Sequence, residues 1–174
     1  ELLKEIPNSM SFYQFRNQAN PMAHYLSTGP EIYEDMDGQI DYFVAGAGTG
    51  GTYTGVMRYL KEKNPNIKGV LADPVGSIIG GGTEHADYNI EGIGNDFVPD
   101  TMDTSLIDIV VKVTDDEAYK TAREIAKREG IIAGSSSGAQ LAAALKLAEK
   151  IDKGNIVVLF PDRGDRYISK HIYG

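Results

Sequence analysis

The chain has 174 residues, 41% of them hydrophobic and 24% charged, enough for one compact domain with a sizeable core or at most two small ones. A net charge of −8 makes nucleic acid and anionic membrane surfaces poor partners. Without cysteine there is no disulfide, thiolate metal site or cysteine nucleophile, and no apolar run is long enough to span a bilayer, in keeping with a cytoplasmic protein.

The opening residues, Glu1-Leu2-Leu3-Lys4-Glu5-Ile6-Pro7, are neither a signal peptide nor the context of an initiator methionine, so the chain is expected to begin in mid-sequence. A short helix is predicted there, followed by a loop at Ile6–Ser9. Phe12, Tyr13 and Phe15 then read as an edge strand or core plug, with Gln14 among them exposed. Asn20 and Pro21 carry a helix start, Asn20 as N-cap and Pro21 in the first position. The helix runs from Met22 to about Met36, with a break or kink at Thr28-Gly29-Pro30.

The stretch Asp41–Thr52 organises the rest. Tyr42–Ala45 reads as a buried strand and empties into a turn containing Gly46, Gly48, Gly50 and Gly51. Val56, Tyr59 and Leu60 then share one helix face, and the helix stops at Asn64-Pro65-Asn66. A strand–glycine turn–helix unit points backbone N–H groups, at the positive end of the helix dipole, toward whatever lies above the turn. Thr49 and Thr52 add hydroxyl donors. The turn is thus a phosphate cradle.

Which phosphate it serves stays open at this point. Gly46, Gly48 and Gly51 fit G-x-G-x-x-G, and Asp73 ends the next apolar run, Gly69–Ala72, at the distance of a ribose-binding acid. That pattern describes a dinucleotide site.

The second strand is predicted over Ile67–Ala72, with a right-handed parallel crossover from the first. Residues 74–104 are glycine-rich and aperiodic, a long connection of the sort that is functional or mobile. His85, within it, has no assigned role. A third strand is predicted over Leu106–Val113, then a capping box at Thr114 and Glu117 opening a helix that ends at Gly130. Ile131–Ala133 enters a Gly/Ser turn, Gly134–Gly138, ahead of an alanine-rich helix, Ala139–Ile151. The strand Asn155–Phe160 closes at Pro161-Asp162-Arg163-Gly164. Three apolar runs therefore end in small or turn-forming loops. In an open α/β sheet the ligand sits at the carboxyl ends of the strands, where these loops converge.

Taken in order, Val44–Thr52, Glu91-Gly92-Ile93-Gly94-Asn95-Asp96-Phe97, Gly134–Gly138 and Pro161-Asp162 resemble the cysteine synthase and cystathionine β-synthase family, pyridoxal-phosphate enzymes of the tryptophan-synthase-β fold type. Gln14–Tyr25 is similar to the segment ahead of that family's phosphate loop, and the likeness spans essentially the whole chain.

The resemblance implies an α/β fold: a three-layer, open, mainly parallel twisted sheet with helices on both faces, the large domain of fold type II. It implies pyridoxal 5′-phosphate as cofactor, its phosphate held by Gly48, Thr49, Gly50, Gly51 and Thr52. Ser136 would meet the pyridine nitrogen, with Pro161 and Asp162 beside it. Gln14 would lie near the substrate carboxylate, against the solvent-exposed reading of the residues alone, and Gly92 would approach the bound amino acid. No metal is implied. The activity implied for the parent is β-replacement on serine or O-acetylserine with homocysteine or sulfide, in a cytoplasmic homodimer.

Two departures matter. The family's Schiff-base lysine lies in a Ser-x-Lys-Asp/Asn-Arg context that none of the eleven lysines here has, Lys170 included. That lysine and the substrate-carboxylate loop belong to an N-terminal half that these residues do not match, so the chain is expected to be a C-terminal portion, inactive alone. Second, Asn95 replaces a tyrosine of the larger eukaryotic β-synthases, and Arg163 stands where serine is commoner. Asp73-Pro74-Val75-Gly76-Ser77 and Glu91–Pro99 look like the β-synthase branch, and the expectation is a short bacterial form without that branch's regulatory tandem domains.

Overall fold

The computed structural model describes residues 2–170, 172 and 173. Its strands are β1 (Tyr42–Ala45), β2 (Lys68–Pro74), β3 (Ile109–Val113) and β4 (Ile156–Val158), hydrogen-bonded in the order β3-β2-β1-β4 and parallel throughout. Val44 sits opposite Val70 on one side and Val158 on the other, so β1, like β2, is an interior strand of the sheet. The helices are α1 (Leu2–Glu5), α2 (Ala19–Leu26), α3 (Thr28–Asp35), α4 (Gly51–Lys63), α5 (Asp115–Glu129) and α6 (Ser135–Ala148). Short 3-10 turns lie at Thr104–Leu106 and Gly164–Lys170.

Side-chain alternation along the strands builds two cores. Phe43, Ala45 and Leu71 face Tyr53, Val56, Met57 and Leu60 of α4. Val44, Val70 and Ala72 face Ala139, Ala143 and Leu147 of α6 and Ala118 of α5. Helices α2 and α3 pack outside α4, while α5 pairs with α6 on the opposite face, giving the expected three layers. From β1 the chain winds outward to β2 and β3, and β4 returns to the other flank of β1. The strand order thus reverses between β1 and β4, the point at which an open sheet leaves a crevice.

The capping box at Thr114 forms as read, with Glu117 N–H donating to Thr114 Oγ1 and Thr114 N–H to Glu117 Oε2, and Gly130 closes α5 at φ +71°. Other boundaries move. Phe12 and Tyr13 form neither strand nor core plug: Phe12 is 74% exposed, and Tyr13, at φ +48°, heads a turn whose carbonyl accepts from the N–H groups of Arg16 and Asn17. Asn20 is not the N-cap; it lies inside the first turn of α2, and Asn17 Oδ1 accepts from Ala19 N–H instead. The break falls at Ser27, which places Pro30 in the first turn of α3, where a missing N–H costs nothing. Ile131–Ala133 forms a single bridge, Ala133 to Arg163, and no strand. Strand β4 is shorter than expected and only half-buried, being an edge strand with one neighbour. Among the described residues no helix is long and apolar enough to cross a membrane.

Candidate functional site

The switch point between β1 and β4 holds a cavity of about 210 Å³ built by four separate segments. Gly46, Gly48, Thr49 and Gly50 come from the β1–α4 turn, with Thr52 and Tyr53 from the first turn of α4. Gly92 and Ile93 come from the long β2–β3 connection, Gln140 from α6, and Leu159 and Pro161 from the end of β4. A larger, more open groove of about 710 Å³ lies beside Ile132 and Ile168, but it gathers none of these loops.

One wall is an anion site in its hydrogen-bonding pattern. Helix α4 begins at Gly50, which takes φ +79° and supplies no side-chain cap. The N–H groups of Thr52 and Tyr53 have no backbone partner among the described residues, so two of the helix's orphan donors stay free. The loop carbonyls are tied back from the far side: Asn95 Nδ2 donates to Gly48 O at 2.5 Å and Thr101 Oγ1 to Thr49 O at 2.6 Å. In a trans peptide the C=O and the next N–H point in opposite directions, so these two bonds turn the Thr49 and Gly50 N–H groups away from Asn95 and Thr101. Gly48 permits the close approach of the two walls, since a Cβ there would overlap the Gly92 carbonyl.

Thr49 Oγ1 accepts from Asn20 Nδ2 at 2.9 Å and from Gly51 N–H at 3.3 Å. With both lone pairs engaged, its proton is left over as a donor at the cavity wall. Thr52 Oγ1 lies 3.1 Å from His24 Nε2, and His24 Nδ1 lies 2.9 Å from Thr28 Oγ1. Burial pushes the His24 imidazole below its ordinary value, favouring the neutral ring.

Helix α6 contributes Gln140 to the lining. Ser135, Ser136, Ser137 and Gln140 are all buried. Gln140 Nε2 donates to the Ser136 carbonyl at 3.2 Å, while Gln140 Oε1 and Ser137 Oγ have no partner among the described residues. Ser135 Oγ accepts from Glu91 N–H at 3.1 Å, fastening the segment that carries Gly92 to the start of α6. Asp162 follows the lining residue Pro161: Tyr167 O–H donates to its Oδ2, and its buried Oδ1 has no partner among the described residues. The Tyr167 hydroxyl is pushed above its ordinary value by burial first and by the Asp162 carboxylate second.

The geometry therefore brings Gly48, Thr49, Gly50, Thr52, Gly92 and Pro161 to one cavity, with Gly51 directly behind Thr49. Ser136 is one helical turn from the lining residue Gln140, and Asp162 is adjacent to Pro161. Gln14 is not brought in. It is exposed on the turn before α2, and only its backbone carbonyl connects to the site, accepting from Asn20 Nδ2 at 2.8 Å. No lysine is among the residues lining the cavity, and Lys170 is engaged with Glu91 at 2.9 Å.

Asp73, the acid of the dinucleotide pattern, is corrected by the structure. It is 1% exposed, with Lys112 Nζ donating to it at 2.6 Å and Gly80 N–H at 3.0 Å, so no ribose hydroxyl reaches it. Asn20, His24, Thr101 and Gln140 were not singled out as site residues in the sequence, and Asn95 was noted only as a departure from the family's tyrosine. Gln140 alone carried a local signal, a lone amide in an alanine-rich helix.

A family model described as pyridoxal-phosphate dependent enzyme matches residues 1–162. The chain is 52% identical over 174 residues to an O-acetylserine dependent cystathionine beta-synthase of Bacillus subtilis (strain 168), covering 99% of this chain and 56% of that protein. It is 45% identical over 177 residues to the cystathionine beta-synthase of Apis mellifera, covering 99% of this chain and 35% of that one. The crystal structure of an O-acetylserine dependent cystathionine beta-synthase from Helicobacter pylori superposes with a TM-score of 0.93 at 42% identity, covering 99% of this chain and 56% of the other. The chain thus spans about half the length, or less, of the relatives it matches.

Proposed function

The chain belongs to the pyridoxal-phosphate dependent enzymes, and from that premise we propose that it supplies the phosphate and ring side of a cofactor site for β-replacement on serine or O-acetylserine, with homocysteine or sulfide as nucleophile. The observation that carries this reading is the cavity at the strand-order reversal. It offers free N–H groups and a donor-only threonine hydroxyl from the β1–α4 turn, and from α6 the Gln140 side chain, whose Oε1 has no partner among the described residues. Such a pattern suits a molecule with an anionic end and a polar heteroaromatic end.

In this reading Gly48, Thr49, Gly50, Gly51 and Thr52 hold the cofactor phosphate. Ser136 meets the ring nitrogen, and Pro161 and Asp162 support it. Bound there, pyridoxal phosphate supplies an electron sink for the substrate's α-carbon. A neutral hydroxyl at Ser136 does not hold the ring nitrogen protonated as a carboxylate would, which favours loss of a β-substituent over transamination. Gly92 brings bare backbone to the amino acid, since a side chain there would extend into open space at φ +84°. Gln14 is assigned to the substrate carboxylate, which requires its exposed side chain to turn toward the cavity, its backbone carbonyl being held by Asn20 already.

The lysine that bonds the cofactor and the loop that grips the substrate carboxylate are proposed to come from sequence outside these 174 residues. The partners are that complementary half and a second copy of the protein, and the location is the cytoplasm. The chain alone is proposed to be catalytically silent, since none of its eleven lysines has the family's Schiff-base context. The test is titration of the chain with pyridoxal phosphate, inorganic phosphate and NAD, followed by fluorescence and 31P NMR. Saturable binding of pyridoxal phosphate, displaced by phosphate, is expected. Binding of NAD alone, or of none of the three, sinks the proposal.

A further inference from the structure

We propose that Asn20 and His24, one turn apart on α2, are positioning residues that set the donor direction of Thr49 and Thr52 toward the anion; this rests on the phosphate reading above. Residues at i and i+4 share a helix face, and this face is pressed onto the first turns of α4. The crossing is close because α4 presents Gly51 and Gly55, also i and i+4. A Cβ on Gly51 would overlap the Asn20 carboxamide, and one on Gly55 would overlap the Pro21 carbonyl and stand 2.7 Å from His24 Cβ. Each threonine of the loop is thereby matched with one polar side chain of α2.

The Asn20 contact has only one consistent polarity. Gln14 O, at 2.8 Å, accepts and cannot donate, so the Asn20 atom facing it is the NH2 group. The same group donates its second proton to Thr49 Oγ1, and Gly51 N–H takes the other lone pair. Rotating the hydroxyl inward would place its proton against two donors. Thr49 is therefore locked as a donor before any ligand arrives, which removes a reorganisation cost from anion binding.

His24 poses a tautomer choice with opposite consequences. If Nδ1 holds the proton, Nε2 accepts and Thr52 spends its hydroxyl proton on the ring, turning lone pairs toward the cavity. If Nε2 holds the proton, it donates to Thr52 Oγ1, Nδ1 accepts from Thr28 Oγ1, and the Thr52 proton is free for the anion. Both contacts are compatible with either tautomer, and the anion reading selects the Nε2–H form, because it alone gives the loop a second hydroxyl donor.

The test begins with the unsubstituted chain, where long-range 1H–15N NMR of the His24 ring is expected to show Nε2 protonated with and without inorganic phosphate. Phosphate affinity is then measured calorimetrically for Asn20→Ala, His24→Phe and His24→Gln, with circular dichroism reporting the fold. The first two are expected to bind about threefold to tenfold more weakly, the range of one net hydrogen bond. His24→Gln, which restores an amide donor facing Thr52, is expected to recover most of the loss. An Nδ1–H ring, or unchanged affinity in both Asn20→Ala and His24→Phe, overturns this inference while leaving the cofactor reading intact. Absence of phosphate binding by the unsubstituted chain refutes the cofactor reading, and this inference with it.

Discussion

Gly55→Ala sets two effects of opposite sign against each other at one position. Gly55 is buried mid-helix in α4, where alanine is favoured over glycine by about 1 kcal/mol on propensity alone. The added Cβ, however, would overlap the Pro21 carbonyl and stand 2.7 Å from His24 Cβ and 2.8 Å from the Tyr25 nitrogen. Two of those three atoms are backbone, so no rotamer change relieves the overlap and α2 itself must shift. Overpacking of this kind costs about 1–3 kcal/mol, and a backbone obstacle places it at the upper end. The clash wins, leaving a net loss of about 1–2 kcal/mol. For a chain of this size that lowers the melting temperature by roughly 2–8 °C, read by circular dichroism or calorimetry. Because the displaced helix carries Asn20 and His24, phosphate affinity should fall with it. A melting temperature equal to or above that of the unsubstituted chain would show that α2 does not depend on this close approach.

Thr49→Val keeps the shape of the side chain but removes the donor and strands Asn20 Nδ2. Phosphate affinity is expected to fall about tenfold or more, as for a hydrogen bond to a charged group, and a loss below twofold in calorimetry would count against the loop assignment. Thr114→Ala opens the capping box of α5 and should cost about 1 kcal/mol in urea denaturation with phosphate binding unaltered. Asp103 is held below the ordinary aspartate value of 3.8, first by the Ser105 hydroxyl, against an opposing burial effect, and then by Arg58. A depressed folded-state pKa contributes stability that is present above the unfolded value and lost as pH falls through the folded one. The stability gap between the unsubstituted chain and Asp103→Asn should therefore be constant near neutrality and close only below about pH 4. A gap that widens on acidification would contradict the assignment.

What could be read in the sequence is what obeys a local rule. The glycine turn announces itself because four glycines between a buried strand and a helix leave few conformations for a side-chain-bearing residue to share. The capping box at Thr114 and the Gly130 stop are short-range chemistry, and both stand. The parallel crossover from β1 to β2 followed from strand–helix–strand spacing, while the three layers were implied by the family resemblance. By contrast, Phe12 and Tyr13 carry strand-like composition but no neighbouring strand to pair with, and the turn at Tyr13 took precedence. Asp73 met the dinucleotide pattern at the right distance, yet pattern distance says nothing of Lys112 on the adjacent strand, which occupies the carboxylate.

Asn20 shows why the remainder of the site was hidden. By local rules an asparagine before a proline at a helix start is an N-cap, and that reading satisfies every neighbour in sequence. In the fold Gln18 takes the N-cap position, Asn17 Oδ1 accepts from Ala19 N–H, and Asn20 is aimed instead at a threonine 29 residues away. The same holds for Asn95 and Thr101, which reach the loop carbonyls across 47 and 52 residues. Side-chain complementarity of this range has no period and no spacing. It arises only once the sheet has brought the segments together, so the donors of an anion loop are legible from sequence while the residues that decide which way those donors point are not.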